Sequence, residues 1–159
     1  MADVTASLIE DLNLKISGSL GVSGTAGTAS STYGALSLSA AGLWTYTAKP
    51  TVQSLRLGET VVDTLTLGGN TYRISLRGDN DFATLGGTIK GSIAEDKALA
   101  VSGVLTVKDA DAGEASFLST VDSQAKYGQF SFISGRALWT YTPDASKMGS
   151  PDETEKIVR

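Results

Sequence analysis

The side chains able to do chemistry in this chain are carboxylates. Three acidic runs stand out: Asp79-Asn80-Asp81 behind a glycine, Glu95-Asp96, and Asp109 with Asp111, followed by Glu114. Clustered carboxylate and carbonyl oxygens suit calcium, which takes about six to eight oxygen ligands in a flexible geometry. The same residue types also build turns, because Asn and Asp side chains bond to nearby backbone. Both readings stand on the sequence.

Little else is reactive. The chain has no cysteine and no histidine. That excludes disulfides, thiolate nucleophiles, imidazole bases and soft-metal centres. Any catalytic base would have to be Asp, Glu or Lys, and no pair is marked as one of raised pKa in a cleft. Gly24-Thr-Ala-Gly27 and Gly86-Gly87 lack the strand–loop–helix setting of a phosphate-binding loop. The expectation is that the protein is not an enzyme. A lectin or a carbohydrate-active enzyme would need exposed aromatics. The best-placed aromatics, Trp44 with Tyr46 and Trp139 with Tyr141, read more simply as core.

Elements must position these residues, and the composition says which kind. The chain has 159 residues, 41% hydrophobic and 19% charged, enough to fold around a core. Eighteen glycines against three prolines, with abundant Thr, Ser, Val and Leu, point to strands joined by turns. A net charge of −4 without a basic cluster argues against nucleic acid as a partner. No apolar run reaches the length of about 18 residues that spans a membrane, so no insertion is expected. The start, Met-Ala-Asp-Val-Thr, reads as no signal peptide.

The chain repeats itself. Ser7–Val22 (SLIEDLNLKISGSLGV) and Ser92–Val107 (SIAEDKALAVSGVLTV) agree at eight of sixteen positions. Tyr33–Thr47 (YGALSLSAAGLWTYT) matches Tyr127–Thr142 (YGQFSFISGRALWTYT). The second copy inserts residues around 108–122. The first continues through 55–66, a Gly68-Gly69-Asn70 turn and 71–77, whereas the second has only 143–159. Alternation at Leu12, Leu14 and Ile16, and again at Leu99 and Val101, predicts half-buried strands. Leu65–Leu67 and Tyr72–Leu76 about the glycine turn predict a hairpin. Ser150-Pro151-Asp152-Glu153 carries the signals of a helix start, so a short helix or an extended tail is expected there.

The fold class expected is therefore all-β: two tandem Greek-key sandwich repeats of Ig-like or cadherin-like type, the second incomplete. The divisions are a first repeat at 1–84, a truncated second at 85–143, and a tail at 144–159. The combined pattern, ED…L.VSG.LTV.DADAGEASF…YG.F…WTYT followed by LRLGETVVDTLTL…Y.ISLRGDND, resembles the VCBS repeat of bacterial adhesins and RTX-type proteins. The resemblance covers about residues 8–142 in two registers. It implies a cadherin-like sandwich serving as a spacer or adhesion module, often stabilised by calcium. It also implies a ligand set: Asp79, Asp81, Asp109 and Asp111 around one calcium, assisted by the Asn80 carbonyl and Glu95. Copy one lacks the DxD, so its Glu10-Asp11 reads as turn or capping chemistry.

Two settings follow. One is a structural or adhesion module at a cell surface, extracellular, with a protein or glycan target. The other is an assembly subunit, such as a phage decoration or tail protein or a fibre subunit completed by strand exchange, and hence a homo-oligomer.

Overall fold

The computed structural model describes residues 2–94, 97 and 99–148. The protein is all-β and divides into two compact units. One comprises Met1–Phe82 with Asp109–Glu114, the other Ala83–Lys108 with Ala115–Arg159. The acidic loop Asp109–Glu114, which belongs to the second repeat by sequence, thus groups with the first unit.

The first unit holds seven strands: β1 (Asp3–Ile9), β2 (Lys15–Ser19), β3 (Gly27–Ser30), β4 (Gly34–Leu38), β5 (Leu43–Ala48), β6 (Thr60–Leu67) and β7 (Asn70–Arg77). They form a three-stranded sheet, β1-β7-β6, and a four-stranded sheet, β2-β5-β4-β3. Alternation decides which side chains meet between the sheets. Leu8, Leu65, Tyr72, Ile74 and Leu76 come from the first sheet, and Leu36, Leu38, Trp44 and Tyr46 from the second. Trp44 meets Tyr72 edge to face, centroids 5.9 Å apart. Gly18 is required opposite Trp44, since a Cβ there would lie 2.6 Å from the indole.

The hairpin is as the sequence predicts. Leu67 pairs with Asn70, and Gly68 and Gly69 both take positive φ, as a two-residue primed turn demands. One inward position of β6 is polar. Asp63 is buried, and its Oδ2 accepts from Tyr46 Oη at 2.6 Å and Ser31 Oγ at 2.5 Å. Burial, then the Asp63 carboxylate, pushes the Tyr46 hydroxyl far above the usual phenol range.

The second unit holds β8 (Thr84–Gly87), β9 (Val101–Lys108), β10 (Val121–Ala125), β11 (Gly128–Ile133) and β12 (Leu138–Pro143), in one sheet of order β10-β11-β12-β9-β8. Its order β10-β11-β12-β9 repeats β3-β4-β5-β2 of the first unit. The three-stranded sheet has no counterpart among the described residues of this unit.

Two expectations need correction. Leu12 and Leu14 lie outside β2 and are exposed, because Glu10–Asn13 forms a tight turn with Asp11 at φ +54°. Leu99 is likewise exposed, ahead of β9. The helix start expected at Ser150 lies outside the described residues.

Candidate metal centre

Strand pairing creates the acidic site. β1 runs parallel to β7, with Ile9 opposite Arg77. Parallel neighbours end at the same edge, so the residues after each strand emerge side by side. Glu10 N donates to Arg77 O at 3.0 Å, which fixes Glu10 beside the segment that follows β7.

That segment begins at Gly78, which only glycine can fill. Its N–H donates to Glu59 O at 2.8 Å, and a Cβ there would lie 2.3 Å from Arg56 O. The chain then turns through Asp79-Asn80-Asp81. Asp79 Oδ1 accepts from Asn80 N at 3.0 Å, and Asn80 Nδ2 donates to Asp81 O at 2.8 Å. Asp79 and Asn80 are exposed, so these two side chains do turn work.

The third contributor is the loop Asp109–Glu114. Ala112 N donates to Ser54 O at 3.2 Å, Arg56 Nε donates to Ala112 O at 2.5 Å, and Arg56 lies 4.0 Å from Glu114. Asp109 Oδ1 caps the bend by accepting from Asp111 N at 2.9 Å. That leaves the Asp111 carboxylate turned inward, where its Oδ2 accepts from Asp81 N at 3.1 Å.

Glu10, Asp81 and Asp111 converge. One carboxylate oxygen from each lies within 4.8 Å of the others. Glu10 is only 3% exposed and Asp111 2%. Both Glu10 oxygens, Asp81 Oδ2 and Asp111 Oδ1 are buried without a hydrogen-bond partner. Such atoms are costly, because a buried carboxylate without donors loses its hydration and gains nothing in return. Burial first, then Asp81, Asp11, Asp111 and Asp79, push the Glu10 carboxyl up to about 7. Burial and the neighbouring aspartates raise Asp81 as well.

No basic side chain is hydrogen-bonded to these three carboxylates among the described residues. The donor set is all oxygen and anionic, which fits a hard divalent cation. Oxygens at a calcium distance of about 2.3–2.6 Å from one ion lie within roughly 5 Å of each other, the spread found here.

Of the expected ligands, the structure therefore brings Asp81 and Asp111 together. Asp109 supports Asp111 from the side, and Asp79 and Asn80 shape the turn. Glu95 lies outside the described residues. Glu10 was expected in turn chemistry. Its backbone does turn, but its side chain joins the cluster.

Trp44 and Trp139 are both buried, which removes them as sugar-stacking platforms. No protein-family model matches the chain, and no curated protein matches it.

Proposed function

We propose that this chain is a non-enzymatic structural or adhesion module, of the VCBS-like sandwich type, from a surface or particle protein. Calcium held by Glu10, Asp81 and Asp111 stiffens it by tying three segments together: the end of β1, the turn after β7 and the loop Asp109–Glu114.

The observation that carries this reading is that Glu10, Asp81 and Asp111 each bring a carboxylate oxygen within 4.8 Å of the others, and that four of their oxygens are buried without a hydrogen-bond partner. A catalytic reading lacks comparable support. In the Asp63–Tyr46–Ser31 network the buried carboxylate is already bonded by the Tyr46 and Ser31 hydroxyls. A second reading, an assembly subunit of a virion or fibre, draws support from the second unit, whose described residues form one sheet. An unfinished sandwich calls for a cover.

Equilibrium dialysis against radioactive calcium tests the site. One ion should bind per chain, and Asp111→Asn should weaken binding at least tenfold. Stoichiometric binding that survives both Asp111→Asn and Glu10→Gln would place the ion elsewhere. No binding at millimolar calcium would end the calcium reading.

A further inference from the structure

Three segments bring carboxylates to the acidic site, and they are not held equally. Glu10 follows β1 directly, and its N–H donates to Arg77 O at 3.0 Å. The turn that carries Asp81 is seated at Gly78, whose N–H donates to Glu59 O at 2.8 Å and whose carbonyl accepts from Gly58 N at 3.0 Å. The loop Asp109–Glu114 is held more lightly. Among the described residues, its one backbone-to-backbone bond to the rest of the first unit is Ala112 N to Ser54 O, at 3.2 Å.

Arg56 supplies what that loop lacks. Its side chain is 56% exposed, so it does not fill the core. Instead its Nε donates at 2.5 Å to the carbonyl of Ala112, the residue after Asp111, and also lies 4.0 Å from Glu114. Gly113 leaves room for the guanidinium, since a Cβ there would lie 2.6 Å from Arg56 Nη2. The base of this arm is itself fixed. Arg56 N donates to Glu59 Oε2 at 3.1 Å, its carbonyl accepts from Glu59 N at 2.8 Å, and the preceding Leu55 is buried in the core. Segment 54–59 thus seats the Asp81 turn through its backbone and reaches the Asp111 loop through Arg56.

We propose that Arg56 is a positioning residue of the metal centre. By holding the Ala112 carbonyl it keeps the Asp111 carboxylate turned inward before the ion arrives. That role rests on the proposed calcium site and adds what sets its affinity. A loop ordered in advance need not be ordered at the expense of binding. Arg56 acts on the ion in two opposed ways. Its positive charge repels a cation, and its hydrogen bond prepares a ligand. The charge is exposed and lies near Glu114, so water and that carboxylate blunt the repulsion. The hydrogen bond therefore dominates, and removing Arg56 weakens calcium binding although it removes a repelling charge.

The test compares Arg56→Met and Arg56→Gln in the full chain by equilibrium dialysis against radioactive calcium. Methionine keeps an unbranched stem and loses both charge and donor. Glutamine loses the charge but can place an N–H where Nε stood. Arg56→Met should raise the dissociation constant about tenfold, the scale of one lost hydrogen bond from a charged group. Arg56→Gln should stay close to the parent. A second readout needs no ion. In EDTA, exchange of the Ala112 amide, followed by NMR, should be faster in Arg56→Met and parent-like in Arg56→Gln. In saturating calcium all three proteins should protect it alike.

Binding by Arg56→Met as tight as the parent's, or tighter, overturns the proposal, because Arg56 would then contribute only charge. Equal weakening in both variants also overturns it, because the donor would not matter. So does an Ala112 amide that exchanges in EDTA at the parent's rate in Arg56→Met. Each of these outcomes leaves calcium binding by the parent standing. A parent that binds no calcium ends the calcium reading and this role together.

Discussion

Glu10 shows how one side chain changes meaning with its surroundings. An isolated carboxyl of this type titrates near 4.5, but burial and the neighbouring aspartates hold it near 7. The metal-free fold therefore binds that proton more tightly than the unfolded chain does. Stability from this group is fully present below about 4.5 and is lost as pH rises through about 7. In EDTA, the unfolding free energy should fall across that window in urea titrations at successive pH values. A saturating cation favours the ionised carboxylate, so in calcium this fall should vanish or reverse. The same logic governs substitution. Glu10→Gln removes a buried charge from a repelling cluster, so in EDTA it should raise the melting temperature by a few degrees, the scale of about 1 kcal/mol in a domain of this size. In calcium it should lower it. A variant destabilised equally in both conditions would make Glu10 an ordinary packing residue.

At the scale of the element, what matters is which face and which end of a strand a residue occupies. Asp63 breaks the apolar parity of β6 yet is buried, and it is tolerated because Tyr46 and Ser31 both donate to it. Tyr46→Phe should cost about 1–3 kcal/mol by stripping one donor from a buried carboxylate, measured as a shift in denaturation midpoint at unchanged m-value. A cost below a few tenths would mean that the network is slack. The repeat offers a paired check. Gly18 and Gly103 each lie against the indole of their own repeat, where a Cβ would come within 2.6 Å of Trp44 or Trp139. Gly103→Ala should therefore unfold the second unit by the mechanism through which Gly18→Ala damages the first. Two-dimensional NMR should show each substitution disturbing mainly its own unit.

Much at this scale was legible in the residues. The Gly68-Gly69 turn, the strands of its hairpin and the tryptophan strands follow from local chemistry. The acidic runs at 79–81 and 109–111 were visible as well. Glu10 was not, because its role depends on β1 lying parallel to β7, a pairing between residues nearly seventy positions apart that no local pattern announces. Nor was the division of labour within the runs. Asp79 and Asp109 bond backbone N–H groups while Asp81 and Asp111 turn inward, and that depends on bends fixed by Gly78 and Arg56. Asp63 did leave a trace, an acid at the inward parity of VVDTLTL between Val61 and Leu65. Leu12 and Leu14 misled because their alternation runs on through a turn.

On the proposed function, sheet packing and one bound ion together hold the molecule. Without cysteine, no disulfide can supplement the core. A cation that binds only the folded state adds stability by mass action, about 2.7 kcal/mol at a hundredfold excess over its dissociation constant. The most direct test is thermal unfolding of the full chain in millimolar calcium, in magnesium and in EDTA, with Glu10→Gln alongside. The account predicts a transition roughly 10 °C or more higher in calcium than in EDTA. It also predicts a smaller rise in magnesium, which demands a tighter octahedral site, and loss of the calcium effect in Glu10→Gln. Superimposable curves in calcium and EDTA would contradict it, and the three carboxyls would then be a proton-sharing cluster with no ion to hold.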